Sequence, residues 1–264
     1  MSSSLDKPVA YSLRVGDQSV PLNGYLGKQI KIEFTGQISC ENCGRKTKKS
    51  FSQGYCYPCM MKLAACDACI MSPEKCHYAA GTCREPEWGE TFCMQEHIVY
   101  LANSSGLKVG ITRGTQVPTR WIDQGAAQAV PIYRVATRHL SGLVEVVFKN
   151  YVNDRTNWRT MLKEDAPLID LQAERDKLFV KLEGDIASLR DAFIESAPTQ
   201  LPNEQVVELN YPVLQYPSKV TSLNLEKTPV IEGVLLGIKG QYLLLDTGCI
   251  NLRKYTSYHV NFSA

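Results

Sequence analysis

The stretch HIVYLANSSGLKVGITR, residues 97–113, decides the fold of the middle of the chain. Two apolar runs flank the turn residues NSSG, a pattern that predicts a β-hairpin. Because side chains alternate along a strand, the hairpin has two distinct faces. One face is apolar and consists of Val99, Leu101, Val109 and Ile111. The other carries Tyr100, Lys108 and Gly110.

Helical patterns follow this hairpin. The segment TRWIDQ, 119–124, predicts a short helix that ends at Gly125, and AVPIYRVA, 129–136, predicts a strand. Apolar residues at helical spacing then predict a helix over 139–152 and a second over 167–193. Glu145 flanks the apolar stripe of the first of these helices.

The two ends of the chain are rich in predicted strands. Residues 9–38 and 205–263 are each short, but together they supply enough strands for a small barrel that closes the chain ends against each other. Small barrels bind single-stranded nucleic acid in some proteins, and a purely structural role is the alternative. The residues here that suggest nucleic acid are Lys239, Arg253, Lys254, Tyr255 and Tyr258.

Cysteines are concentrated upstream of the hairpin, with nine of the ten between residues 40 and 93. Two CxxC pairs twelve residues apart have the spacing of paired zinc knuckles, which deliver four thiolates to one tetrahedral ion. This predicted ribbon-type site consists of Cys40, Cys43, Cys56 and Cys59.

A second metal set follows directly. We expect Cys66 and Cys69 to bind a second ion together with two of four further candidates, which are Cys76, Cys83, Cys93 and His97. The predicted metal content is therefore about two zinc ions, both structural.

Basic residues lie between the first knuckles, close to Phe51 and Tyr55. Cations interleaved with aromatic rings can contact phosphates and stack on unpaired bases. The alternative is a solvated loop. The basic residues are Arg45, Lys46, Lys48 and Lys49.

Composition limits the classes of protein. The net charge of +2 over 264 residues is too small to indicate a polyanionic partner by itself. The first residues lack a basic start followed by an apolar run, and no stretch approaches the roughly 18 apolar residues of a membrane span. We therefore expect a cytoplasmic protein without a membrane partner, where thiols stay reduced and clustered cysteines bind metal.

The hairpin and the helices after it resemble the GIY-YIG nuclease superfamily. The likeness rests on VYL at 99–101, KVGIT at 108–112, Arg120 and the helical Glu145. The sequence departs from the pattern at Val99, at the missing first glycine and at Lys108, which replaces the second tyrosine. More broadly, residues 38–165 resemble an uncharacterised prokaryotic family that joins a zinc module to a GIY-YIG-like core.

The resemblance implies roles for four residues in phosphodiester hydrolysis. Tyr100 would position or deprotonate the water, Arg120 and Lys108 would bear the phosphate charge, and Glu145 would hold Mg²⁺ or Mn²⁺. Gly110 and Arg113 would lie along the bound nucleic acid. The structural alternatives are a packed tyrosine, an Arg120–Asp123 ion pair, a solvated Glu145 and an ordinary exposed lysine.

The predicted fold class is α+β, with a zinc-ribbon module, a GIY-YIG-like core around an antiparallel sheet, and a barrel-like part from both chain ends. The predicted division is 1–38 (β-rich), 39–97 (zinc module), 98–165 (core), 166–197 (connecting helix) and 198–264 (β-rich). The expected function is nucleic-acid binding by a zinc protein with an endonuclease-like core. Two alternatives stay open, a binding module that does not cleave and a zinc-organised protein-interaction platform.

Overall fold

The computed structural model describes residues 1–264 and contains six α-helices and fourteen strands. The helices are α1 (Tyr57–Lys62), α2 (Pro86–Phe92), α3 (Thr119–Asp123), α4 (Arg138–Lys149), α5 (Trp158–Met161) and α6 (Leu171–Ala192). The strands are β1 (Ser2–Ser4), β2 (Ala10–Val15), β3 (Gln18–Pro21), β4 (Gln29–Ser39), β5 (Lys46–Thr47), β6 (His97–Asn103), β7 (Leu107–Arg113), β8 (Gln128–Val135), β9 (Thr199–Gln200), β10 (Val207–Glu208), β11 (Val230–Lys239), β12 (Tyr242–Leu245), β13 (Gly248–Asn251) and β14 (Tyr258–Ser263).

A central antiparallel sheet is built on the β6–β7 hairpin. Its strand order is β10-β8-β6-β7, and β9 also pairs with β8. The hairpin register sets Tyr100 opposite Gly110 and Leu101 opposite Val109. The strands and the two hairpin faces therefore follow the alternation of the sequence.

Two helices cover the apolar face of this sheet. Val99, Leu101 and Val109 are fully buried against the apolar stripes of α4 and α6. Both helices begin at side-chain caps, because Thr137 Oγ1 accepts from Leu140 N (3.2 Å) and Asp170 Oδ1 accepts from Ala173 N (2.9 Å).

The opposite face of the central sheet packs against a curled half-barrel formed by both chain ends. In this second large sheet β4 pairs with β11 on one side and with β14 on the other, and the order is β13-β12-β11-β4-β14. Ile98 and Tyr100 join the same core as Ile32 and Ile231 of the half-barrel. The predicted α+β fold class is confirmed.

Some details of the chain ends differ from expectation. The strands β9 and β10, which lie within the segment 198–264, add to the central sheet rather than to the half-barrel. The suggestion that Lys239 faces nucleic acid is wrong, because its side chain is fully buried. Lys239 Nζ donates to Glu164 O (2.9 Å), Asp165 Oδ1 (3.0 Å) and Tyr216 OH (3.1 Å).

None of the helices combines the length and the apolar composition that crossing a bilayer requires.

Candidate metal centre and core cluster

The first cysteine set forms one tight cluster. The Sγ atoms of Cys40, Cys43, Cys56 and Cys59 all lie within 4.8 Å of one another. Cys43 Sγ and Cys56 Sγ are 3.8 Å apart, which is close to the edge of a tetrahedron whose Zn–S bonds are about 2.3 Å. The four thiols are therefore placed as a zinc site requires and could hold one zinc ion.

Left-handed backbone turns bring these cysteines together. Gly44 has φ +68° and donates its N–H to Cys40 O (2.8 Å), which closes the first knuckle. Ser52 and Gln53 also adopt positive φ, at 44° and 61°, just before the second pair. Non-glycine residues in this region are uncommon, so the turn between the knuckles is held by its surroundings.

The pKa values of two thiols in the cluster are shifted in opposite directions. Burial raises the pKa of the Cys40 thiol, but three backbone N–H groups of the knuckles lower it to about 6. The Asn42 amide lowers the pKa of the Cys59 thiol, whereas burial and the three neighbouring thiols raise it, to about 12. Four thiolates repel each other at this distance, and a bound divalent cation would remove that repulsion.

The knuckle loop presents positive charge to solvent. Its four basic side chains are exposed, and none of them forms an ion pair. Lys49 Nζ lies 5.4 Å from the centre of the Phe51 ring, and Phe51 contacts Tyr57 edge-on at 5.5 Å. Tyr57 is 55% exposed. We call this set the knuckle surface; it consists of Arg45, Lys46, Lys48, Lys49, Phe51 and Tyr57.

Hydrogen bonds from the C-terminal part of the half-barrel hold the knuckle loop. Arg253 Nε donates to Gln53 Oε1 (2.8 Å), and its Nη1 lies 3.3 Å from Asp123 Oδ2. Ser39 N donates to Ser257 O (3.0 Å) on the same side. The Arg253 guanidinium therefore binds Gln53 and Asp123 within the protein. The neighbouring Lys254 is exposed and forms no ion pair.

The remaining cysteines do not gather as the sequence suggested. Cys66 lies on the side of the first cluster, where the Ser52 hydroxyl hydrogen-bonds its thiol. His97 is fully buried, with Nδ1 2.7 Å from Gln95 O, and its Nε2 has no partner. The four later cysteines of this segment line one small cavity together with Asp67 and His77; they are Cys69, Cys76, Cys83 and Cys93.

Tyr100 is fully buried beneath the half-barrel. Its hydroxyl accepts a hydrogen bond from Gln124 Nε2 (2.6 Å). Burial raises the pKa of Tyr100 to about 12, and the positive charge of Arg120 opposes this shift. At neutral pH the phenol is therefore protonated, which makes it a poor base for activating water.

We call the four residues that the resemblance assigns to hydrolysis, Tyr100, Lys108, Arg120 and Glu145, the core cluster. Of these, Lys108 and Glu145 are also buried. Lys108 Nζ lies 3.3 Å from Thr156 Oγ1, and burial lowers the pKa of Lys108 to about 8. Glu145 is 8% exposed and pairs with Lys149 at 3.2 Å. Burial raises the pKa of Glu145, and Lys149 opposes this.

The charges of Arg120 and Glu145 act on both Tyr100 and Lys108. However, the four residues do not line one open surface. The charge of Glu145 raises the pKa of both Tyr100 and Lys108. Helix α4, which carries Glu145, covers the sheet face opposite Tyr100. Arg120 is the one exposed member.

The two other residues expected to contact nucleic acid, Gly110 and Arg113, each contact an aromatic side chain of the protein. The Tyr100 ring covers Gly110. The space that glycine leaves open is therefore filled by the Tyr100 side chain. The Arg113 guanidinium sits 5.0 Å from the centre of the Phe92 ring.

The structure adds polar residues that sequence reasoning missed. Gln124 binds the Tyr100 hydroxyl, Lys149 neutralises Glu145, and Arg138 lies beside the second cysteine group. Gln124 follows Arg120 by four positions, and Lys149 follows Glu145 by four positions. Residues at this spacing are neighbours on a helix, so the sequence could have indicated both. No local pattern indicated Arg138, whose contacts are long-range.

These features define an α+β protein whose cysteine module, built around a four-thiol cluster, is attached to a three-layer core. The chain belongs to the family described as protein of unknown function (DUF2797), whose model matches residues 27–260. Neither the curated proteins nor the solved structures include a match.

Proposed function

We propose that this protein binds single-stranded nucleic acid through the knuckle surface, on a loop whose shape is fixed by zinc. The observation that carries the proposal is the set of four exposed cations without ion pairs beside Phe51 and Tyr57. Cations of this kind attract phosphates, and an exposed ring such as Tyr57 supplies a stacking surface for an unpaired base.

The charge of the loop supports this proposal. Four thiolates and one zinc ion together carry a charge of about −2. Glu41 is the one carboxylate within residues 40–59, so the four cations exceed the local negative charge. The cations are exposed, which leaves them free to contact a phosphate backbone.

The core cluster favours a second candidate, a nuclease of the GIY-YIG kind. The observation in its favour is that the charges of Arg120 and Glu145 both act on the pKa of Tyr100 and on the pKa of Lys108. A Mg²⁺ or Mn²⁺ ion at Glu145 belongs to this candidate and would require Lys149 to release the carboxylate. Because Tyr100 is buried and protonated, binding without cleavage is the function we propose.

Fluorescence anisotropy with labelled single-stranded RNA and DNA tests the proposal. A Lys46/Lys48/Lys49→Ala variant should bind at least tenfold more weakly than the wild type, because three phosphate contacts are lost. A matched control removes three exposed lysines that form no ion pair elsewhere; they are Lys163, Lys181 and Lys219. Equal affinity of all three proteins, or no binding by the wild type, would refute the proposal.

A further inference from the structure

The segment between the knuckles and the central sheet lacks a hydrophobic core. None of the three hydrophobic cores contains a residue between positions 40 and 96. From Ala64 to Lys75 the backbone forms three short 3₁₀ turns, and α2 is only seven residues long. A segment with so little apolar burial needs another source of stability, and bound metal is a common one in small modules.

Four cysteines of this segment line one cavity. Cys69, Cys76, Cys83 and Cys93 line a cavity of about 20 Å³. Gly89 lines the same cavity, and a Cβ atom there would lie 3.1 Å from the Tyr78 ring and 3.5 Å from Cys83 Sγ.

A half-buried guanidinium, that of Arg138, lies beside these thiols. Arg138 is the first residue of α4, and its N–H donates to Cys93 O (2.8 Å). Its Nη2 donates to Ile70 O (2.6 Å), whereas Nε is buried and has no hydrogen-bond partner. Arg138 forms no ion pair with a carboxylate, so a half-buried positive charge lacks a counter-ion.

We propose that Cys69, Cys76, Cys83 and Cys93 bind a second zinc ion, with Arg138 as the outer partner that balances its charge. Four thiolates and one zinc ion carry a charge of about −2, which is the counter-ion that the guanidinium lacks. Each thiol releases its proton when it binds the metal. The inference gives a ligand set to the second zinc ion expected from the sequence and does not depend on nucleic-acid binding.

A competing ligand set shares Cys69. The ligand atoms of Asp67, Cys69 and His77 lie within 4.8 Å of one another. However, Asp67 Oδ2 is 2.7 Å from Arg84 Nε, and His77 Nδ1 is 2.8 Å from Thr82 Oγ1. Asp67 thus has a cationic partner already, and a closed shell of four thiolates suits a structural zinc site better.

The second ion would also fix how the module docks on the core. The turn Pro73–Lys75 lies directly on α4 at Gly142. A Cβ atom at Gly142 would come within 2.7 Å of Pro73, so this contact requires glycine. Cys69 and Cys76 flank that turn, and a metal bound between them holds it in place.

Zinc analysis of the purified full-length chain tests the ligand set. The wild type should contain about two zinc ions, and Ser replacements at Cys69, Cys76, Cys83 or Cys93 should each reduce the content to about one. Cys66→Ser, Cys249→Ser, Asp67→Asn and His77→Gln should keep about two ions. One ion in the wild type, or loss of an ion from Cys66→Ser, Asp67→Asn or His77→Gln, would overturn the assignment.

Two further measurements apply where a cysteine variant fails to fold. Cobalt-loaded wild type should show thiolate-to-cobalt absorption of equal intensity for both ions, as expected for four sulfur ligands each. Arg138→Gln should release one of the two ions to a chelator about 10–100-fold more readily, while Arg134→Gln, an exposed arginine on β8, should not. Weaker absorption by one ion, or equal release from both variants, would contradict the proposal.

Discussion

Tyr100 and Gly110 lie directly opposite each other on β6 and β7, and a Cβ atom at residue 110 would come within 2.7 Å of the Tyr100 hydroxyl oxygen. The tyrosine ring therefore occupies the space that the missing side chain leaves. The half-barrel covers the ring on its other side, which makes this pair part of the hydrophobic core between the two sheets. Its role in stability can be measured directly.

Gly110→Ala should destabilise the fold, because Tyr100 is fully buried and cannot move away without disturbing the half-barrel. We expect a loss of about 1–3 kcal/mol in the free energy of unfolding, measured by urea denaturation. Gly184→Ala is the matched control, since Gly184 lies within α6 with open space around it. That change should stabilise the protein by about 0.5–1 kcal/mol. Equal effects would contradict the described packing.

Lys108→Met should stabilise the protein at neutral pH by about 1–3 kcal/mol, because burial lowers the pKa of Lys108 from 10.5 to about 8. Below about pH 8 both folded and unfolded chains carry the proton, so the folded state bears the full cost of a buried charge. Between pH 8 and 10.5 the unfolded chain binds the proton and the folded chain does not, so wild-type stability rises with pH.

The gain from Lys108→Met should accordingly shrink as the pH rises through that window. Urea denaturation at several pH values measures this change. Lys163→Met, at an exposed position, should change stability by less than about 0.5 kcal/mol at every pH. A gain that is independent of pH would mean that the ammonium of Lys108 is not destabilised by burial.

The hairpin shows how much of the fold its sequence determines. Alternation of apolar residues predicted both faces of β6 and β7. The 3.6-residue period of apolar residues predicted α4 and α6. The burial of Tyr100 could not be predicted, because the face it occupies is covered by residues from both ends of the chain. The same long-range packing buries Lys239, whose three oxygen partners are distant in sequence.

The cysteine segment marks a second limit of sequence reasoning. The knuckle spacing predicted that Cys40, Cys43, Cys56 and Cys59 would meet, because each CxxC turn fixes two thiols locally. Cys66 and Cys69 lie on short 3₁₀ turns, whereas Cys76, Cys83 and Cys93 lie outside the helices and 3₁₀ turns, without a repeat. Their partners depend on how α4 holds the segment, through Arg138 and Gly142, and no spacing rule describes that contact.

Removing one thiol of the first cluster should release its metal and unfold the knuckles, because the four Sγ atoms form one closed set. Cys40→Ser and Cys59→Ser should each lose about one zinc ion per chain. Limited proteolysis should then cut between residues 40 and 63. Cys249→Ser, at a buried cysteine in β13, is the control and should keep its metal and its resistance. Full metal retention by Cys40→Ser would contradict the site.

The protein should leave single-stranded, duplex and branched oligonucleotides uncut in the presence of Mn²⁺. Tyr100 is protonated at neutral pH, and Lys149 already neutralises Glu145. Gel analysis of end-labelled substrates measures this. Cleavage that Glu145→Gln abolishes and Tyr100→Phe slows by about 10²–10⁴-fold would establish the nuclease candidate instead.

Base stacking on the knuckle surface can be separated from its charge. Tyr57→Ala should weaken binding of a single-stranded oligonucleotide by about 1–3 kcal/mol and leave the salt dependence unchanged, because the ring carries no charge. Tyr151→Ala is the control, since Tyr151 is a similarly exposed tyrosine that lies just after α4. An equal loss in both variants would show that the ring of Tyr57 has no specific role.

The salt dependence of binding tests the central claim most directly. Affinity of the zinc-loaded protein for a single-stranded oligonucleotide is measured at several salt concentrations for the wild type, Lys46/Lys48/Lys49→Ala and Lys163/Lys181/Lys219→Ala. Each lost phosphate contact reduces the slope of log K against log salt by about 0.7, so the knuckle variant should have a slope smaller by about 2. The control variant should match the wild type. Identical slopes in all three proteins would contradict binding through the knuckle surface.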